Sequence, residues 1–595
     1  MTTQRYLITL MMGGVLLACS TANNTPEPPI EDAQPGKISA QPRATDKPDS
    51  PTLPENEPAP AIAYQQPTEE MVKTAQRVTL VNAASEHPAG MARMSFRTAD
   101  RDGSLRMASE PLDRENYTHF DNNPVHLVSE DPVSTFSIDV DTASYSNLRR
   151  LLNQGRLPRQ DAIRVEELIN YFSYDYPTPA GDDTPFSVFT EIGPSPWHAD
   201  RQLLHIGIKG FELTGSEIPD ANLVFLIDVS GSMRSPNKLE LLKTSMKLLV
   251  KQLDADDKIS IAVYAGAAGR VLEPTSGAER GKIIAAINQL TAGGSTNGGA
   301  GIRLAYAMAE EAFIDGGVNR VILATDGDFN VGTTDLQALK DLVTEKRKSG
   351  VALTVLGFGG GNYNDALMQE IAQIGNGNAA YIDTINEARK VLVDELVATL
   401  NIIAKDVKIQ VEFNPSVVSE YRLIGYETRH LNREDFNNDK VDAGDIGAGH
   451  TVTAIYELTL AGSRGLIDPL RYGEGRSLEK PADAEVAFLK LRHKAPNSDT
   501  SKLINVPIYS NDIRESLANT SQIFRFSAAV AGFGQLLRGG DYTDEFSYQA
   551  LIDLANEARG KDPFGYRGEF ITLVRTADAL TTPPRDAVQV GQRQE

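Results

Sequence analysis

Three oxygen-bearing side chains stand at every second position where the stretch LVFLIDVSGSM, Leu223 to Met233, stops being apolar: Asp228, Ser230 and Ser232. Alternation in an extended turn points all three the same way. Two further oxygen donors occur in loops of similar character. Thr296 follows glycines in GGSTNGG, which let the backbone approach closely, and Asp326 ends the buried run of ILATDGDFN. Five hard oxygen donors without His or Cys suit Mg²⁺, with Mn²⁺ or Ca²⁺ as the alternatives.

Such donors need strands to bring them together. From Leu223 to about Ile403, buried runs such as VFLID, KISIAVY, RVILATD and VALTVLGFG alternate with helical spacings such as LELLKTSMKLLVKQL and AGIRLAYAMAEEAF. Strand and helix in turn predict an α/β fold, a doubly wound and mostly parallel sheet over 219–403. In such sheets the ligand site lies outside the carboxyl ends of the strands, which is where Asp228 and Asp326 fall.

On either side the period changes to two. FSVFTEI and LLHIGIKG before the module, and VKIQVEF, TVTAIYELTL and VAFLKL after it, alternate as half-buried antiparallel strands do. Domain termini often lie close enough together to accept an insertion, so one discontinuous antiparallel β-sandwich is expected from 184–215 and 404–510, interrupted by the α/β module. An N-terminal α/β segment is expected over 122–180, with a short strand at Phe136 to Val140 and a helix capped by Asp141 or Thr142. Helices are expected over 511–582, where Phe526, Val530, Phe533 and Leu537 share one face.

DVSGSM, the threonine of GGSTN and the aspartate of ATDGDFN resemble the von Willebrand factor type A (VWA) domain and its metal-ion-dependent adhesion site (MIDAS), the D-x-S-x-S…T…D pattern. All five positions are filled. The resemblance implies that Ser230 and Ser232 bind the ion directly, Thr296 directly or through water, and Asp228 and Asp326 largely through water. With three neutral hydroxyls among the donors the ion would stay electrophilic, and an open coordination position would favour a carboxylate from a protein partner. STFSIDVDTASYSNLRR and RFSAAVAGFGQLLR extend the likeness to bacterial VWA lipoproteins with flanking N- and C-terminal regions, over about 122–580.

The whole chain of 595 residues carries 58 basic and 80 acidic side chains, a formal charge of −22, which repels nucleic acid and anionic lipid surfaces. Its one cysteine, Cys19, excludes an internal disulfide and an all-cysteine metal site. Cys19 ends Leu16-Leu17-Ala18-Cys19, after Arg5 and an apolar segment from Leu7 to Leu17. That segment has the length of an export-signal core, and its end resembles the bacterial lipobox, so 1–18 is expected to be a signal peptide and Cys19 the lipidated residue. Ser20 next to it resembles the pattern that sends lipoproteins to the outer membrane of Gram-negative bacteria. The stretch 19–115 is expected to be a Pro-rich tether, with eleven prolines between Pro26 and Pro67.

Other motifs are poor. Asp139, Asp141 and Ser144 read as capping and turn chemistry, and Asp435 to Ile446 imitates a calcium loop but has Lys440 where glycine is required and Ile446 where glutamate is. GFGGGN falls short of a dinucleotide fingerprint. His205, within an alternating strand, reads as solvent-facing. The resulting expectation is a lipid-anchored envelope binding or adhesion protein, not an enzyme. The alternatives are a periplasmic assembly scaffold with a structural metal and, further behind, a metal-dependent hydrolase with Asp328 as its only nearby candidate base.

Overall fold

The structure is a computed structural model and describes residues 117–138, 141–179, 184–265, 268–293, 298–327, 336–360, 364–441, 443–468 and 484–581. The export segment, Cys19, the tether, Asp139, Thr296 and Asp328 lie outside the described residues. In chain order, β1 (His126–Leu127) and β2 (Val133–Ser137) precede helices Ala143–Asn153 and Val165–Asn170, then β3 (Phe186–Pro194) and β4 (Arg201–Gly210). Six strands follow: β5 (Ala221–Asp228), β6 (Lys258–Tyr264), β7 (Ala268–Ser276), β8 (Val318–Thr325), β9 (Ala352–Phe358) and β10 (Ala379–Ile382). They form one sheet in the order β10-β9-β8-β5-β6-β7, parallel except for the edge strand β7. The period of the sequence explains its layers. In β5, Leu223, Phe225 and Ile227 enter the core on one face while Val224 and Leu226 enter the core on the other.

The chain then returns through β11 (Ile402–Phe413), β12 (Val418–Ile424), β13 (Gly444–Gly447), β14 (Thr451–Leu460), β15 (Glu485–Lys494) and β16 (Ser501–Tyr509). These strands build two antiparallel sheets, β1-β12-β14-β4-β3 and β13-β11-β15-β16, with β2 added against β11. β4 pairs with β14 from Arg201↔Thr459 to Lys209↔Thr451, so strands from before and after the inserted α/β module share one sheet. Ile206, Ile208, Val452 and Tyr456 from one sheet meet Ile409, Val411, Leu489 and Leu491 from the other in a common core. The fold class expected from the sequence, a VWA-type parallel sheet inserted in an antiparallel sandwich with flanking helices, is the one observed.

The far face of the first sheet differs from the expectation. Helix Gln522–Leu537, with Tyr548–Glu557 and Tyr566–Thr581, covers it, so β4 is buried on both faces. His205 is therefore not solvent-facing: it is 1% exposed, and its ring nitrogens meet Tyr176 Oη at 2.7 Å and Ser527 Oγ at 3.0 Å. Burial pushes its pKa down to about 3. Two residues on, a Cβ at Gly207 would lie 2.3 Å from Tyr176 Cζ, so glycine is what admits this ring to the sheet.

The cap of helix Ala143–Asn153 also differs. Thr142 holds the N-cap position without a side-chain cap bond. The amide of Ser144 donates to Glu167 Oε2 at 2.7 Å instead. Asp141 accepts from the amide of Ala379 at 3.2 Å and from Arg429 at 3.3 Å. Its carboxylate thus satisfies an amide of the edge strand β10 of the inserted module. Among the described residues no helix is long and apolar enough to cross a membrane.

Candidate metal centre

β5 lies at the point where the order of the parallel sheet reverses, with β6 on one side and β8 on the other. In open α/β sheets such a reversal of strand order, at the carboxyl ends of the strands, is where ligands bind. Asp228 is the last residue of β5 and fully buried. Its Oδ1 accepts from the amide of Ser230 at 2.8 Å, and Thr325 Oγ1, at the end of β8, stands 3.5 Å from its Oδ2. Tyr264 lies opposite Asp228 in register on β6. Burial pushes the carboxyl of Asp228 up to about 6, and the neighbouring charge of Asp326 acts in the same direction against the hydrogen bond from Ser230.

The two serines follow in the turn as their spacing implies. Ser230 is buried and Ser232 exposed, and their hydroxyl oxygens stand 2.8 Å apart. Asp326, fully buried, leaves the end of β8. The structure therefore brings Asp228, Ser230, Ser232 and Asp326 to one edge of the sheet, while Thr296 lies outside the described residues.

This donor set fits a hard divalent cation. The separation of the serine oxygens is close to the ~2.9 Å between adjacent ligands of an octahedron with the metal–oxygen distances usual for Mg²⁺. Among the described residues there is no group of three or more His, Cys, Asp or Glu suited to a metal, which leaves this hydroxyl-rich site as the candidate.

Three neighbours were not marked by the sequence. Thr325 and Tyr264 close over Asp228 from the ends of adjacent strands, positions that could be found by listing every strand-end side chain. Lys238 is different: its Nζ stands 2.8 Å from Asp326 Oδ2. A lysine ahead of an amphipathic helix looks like any solvated lysine, and no sequence signal distinguishes it.

Residues 222–394 match the family described as von Willebrand factor type A domain, residues 111–205 match von Willebrand factor, and residues 398–580 match Uncharacterized protein YfbK, C-terminal. The chain is 49% identical over 472 residues to Uncharacterized protein YfbK of Escherichia coli strain K12, spanning 78% of this chain and 81% of the relative. It is 31% identical over 150 residues to human inter-alpha-trypsin inhibitor heavy chain H4, spanning 23% of this chain and 16% of that protein. Among solved structures it is similar to von Willebrand factor type A from Catenulispora acidiphila, with 14% identity, a TM-score of 0.39, and 68% and 91% of the two chains covered. The chain thus belongs to the YfbK family, in which a von Willebrand factor type A domain is joined to a YfbK-type C-terminal region.

Proposed function

We infer that this protein is a lipid-anchored binding protein of the bacterial cell envelope that captures a protein partner through a divalent ion, Mg²⁺ in the first place, held in its VWA domain. The observation that carries this reading is the convergence of Asp228, Ser230, Ser232 and Asp326 at the switch point of the parallel sheet. Thr296 is assigned to the same site on its place in the motif. A bound ion would supply an open coordination position for a carboxylate of the partner.

The chain's own residues prepare that position. The amide of Ser230 holds Asp228 in one orientation. Ser232, exposed beside the buried Ser230, sets the side from which a partner approaches. A hydrolase would need a general base beside the ion, and the one the sequence offers, Asp328, lies outside the described residues, so binding is the reading preferred here. VWA domains commonly mediate protein interactions, which supports the same choice.

Anchoring through Cys19 rests on the sole cysteine standing at the end of an apolar export-type segment. Ser20, next to it, resembles the pattern that sends lipoproteins to the outer membrane of Gram-negative bacteria, and the outer membrane is the location proposed. The test is a pull-down from envelope extract with the full mature chain in Mg²⁺, in EDTA, and with Asp228→Ala. A partner retained only by wild type in Mg²⁺ supports the reading. Retention that EDTA and the substitution leave unchanged would refute it.

A further inference from the structure

Asp326 does not face the site with its charge uncompensated. Lys238 Nζ lies 2.8 Å from Asp326 Oδ2, with the lysine side chain 9% exposed and the aspartate side chain 0%. Lysine is almost never buried to this extent unless paired. The ion pair is also built, rather than made by a surface side chain in passing. Lys238 belongs to the wide helical turn Pro236–Glu240, whose start is fixed by a bond from the Lys238 amide to the Ser235 carbonyl at 3.0 Å. From there its stem crosses the end of β9 over Gly359. That glycine has φ +79°, and a Cβ built on it would fall 2.2 Å from Lys238 Cε and 2.7 Å from Cγ. Only glycine gives the stem this slot.

The ammonium changes the charge that the site offers. Asp228 and Asp326 bring two negative charges and Lys238 returns one positive, so the described side chains present a single net negative charge to a divalent ion. Ligand charge count governs how tightly an oxygen site holds its ion. It equally governs how much positive charge remains for an outside ligand. We propose that Lys238 is a resident cation of the site, which limits the affinity for the divalent ion and keeps the ion's charge available to a carboxylate of the partner. This rests on the reading that the site binds a divalent ion.

Removing the charge of Lys238 then has opposite effects on the two ligands. Metal binding tightens, because Asp326 is released to the ion, while carboxylate binding weakens, because the loaded site is closer to neutral. A lysine that merely propped up the turn would weaken both on removal.

The experiment is calorimetric titration of Mg²⁺ and Mn²⁺ into wild type, Lys238→Met, Lys238→Gln and Asp228→Ala, followed by titration of a labelled hexaglutamate peptide at saturating metal. Methionine keeps the stem's packing over Gly359 and glutamine keeps a hydrogen-bond donor for Asp326, so each variant reads the charge separately from the fold. Both Lys238 variants are expected to bind metal about tenfold more tightly than wild type and the peptide several-fold more weakly. Metal binding in the Lys238 variants but none in wild type would support the proposal in a stronger form. Unchanged or weaker metal binding in the Lys238 variants, with Asp228→Ala still defective, would overturn the role of Lys238 and leave the metal site standing. No metal binding by any of the proteins would overturn both.

Discussion

Arg149 reaches Oε2 of Glu387 at 2.8 Å, with neither side chain exposed to solvent. The same guanidinium donates to Asp383 Oδ2 at 2.9 Å, to Tyr171 Oη at 2.9 Å and toward Glu569 Oε2 at 3.1 Å. One cation in helix Ala143–Asn153 therefore joins three parts of the chain: the N-terminal segment, the end of the inserted VWA domain and the C-terminal helix Tyr566–Thr581. The domain that carries the candidate metal site is thus fastened, just after its edge strand β10, by Arg149, which precedes it in the chain and also reaches Glu569, which follows it.

Replacing Arg149 with Met leaves Asp383 and Glu387 buried without their cation. Removing one partner of a buried pair costs about 3–5 kcal/mol, because the remaining charge is uncompensated. Thermal and urea unfolding of Arg149→Met should show a loss of this size, while Mg²⁺ binding by the folded variant is retained. A change under about 1 kcal/mol would show that the network does not fasten the domains.

His205 provides a pH dependence with a definite sign. Burial holds its folded pKa at about 3, below the ordinary 6.5, so the folded protein keeps it neutral while the unfolded chain takes up a proton. The stability that depends on its neutrality is complete above about pH 6.5 and is lost as the pH falls from there toward 3. Between pH 7 and pH 5 this single group should account for about 2 kcal/mol. The His205→Gln variant, which cannot titrate, should be less stable than wild type at pH 7 yet lose less on acidification. Parallel pH profiles for the two proteins would exclude His205 as the source.

Much of this architecture was legible in the sequence because its signals are local. The apolar run before Asp228 marks a strand buried on both faces, and the two-residue spacing to Ser230 and Ser232 survives in the turn whatever surrounds it. His205 was not legible for the opposite reason. Alternation in β4 shows which residues share a face but not what covers that face, and the cover is supplied by Ser527 and its helix more than three hundred residues later. Asp141 and Lys238 were obscured in the same way. Each looks like a local residue, a cap or a solvated lysine, and each is committed to a distant backbone amide or carboxylate.

The anchor is tested separately from the fold. Cys19→Ala should abolish labelling by a fatty-acid analogue and leave the protein unprocessed or in the soluble fraction. Membrane-bound, labelled Cys19→Ala protein would remove lipidation at Cys19 from the account.

The most direct test of the central claim is titration calorimetry of Mg²⁺ into wild type and Asp228→Ala. Asp228 is one of two carboxylates able to offset the ion's charge, and its core lies beneath the loops, so the variant should keep its unfolding midpoint to within a few degrees while losing metal affinity by about tenfold or more. Equal Mg²⁺ affinity in the two proteins would contradict the metal centre and the binding function built on it.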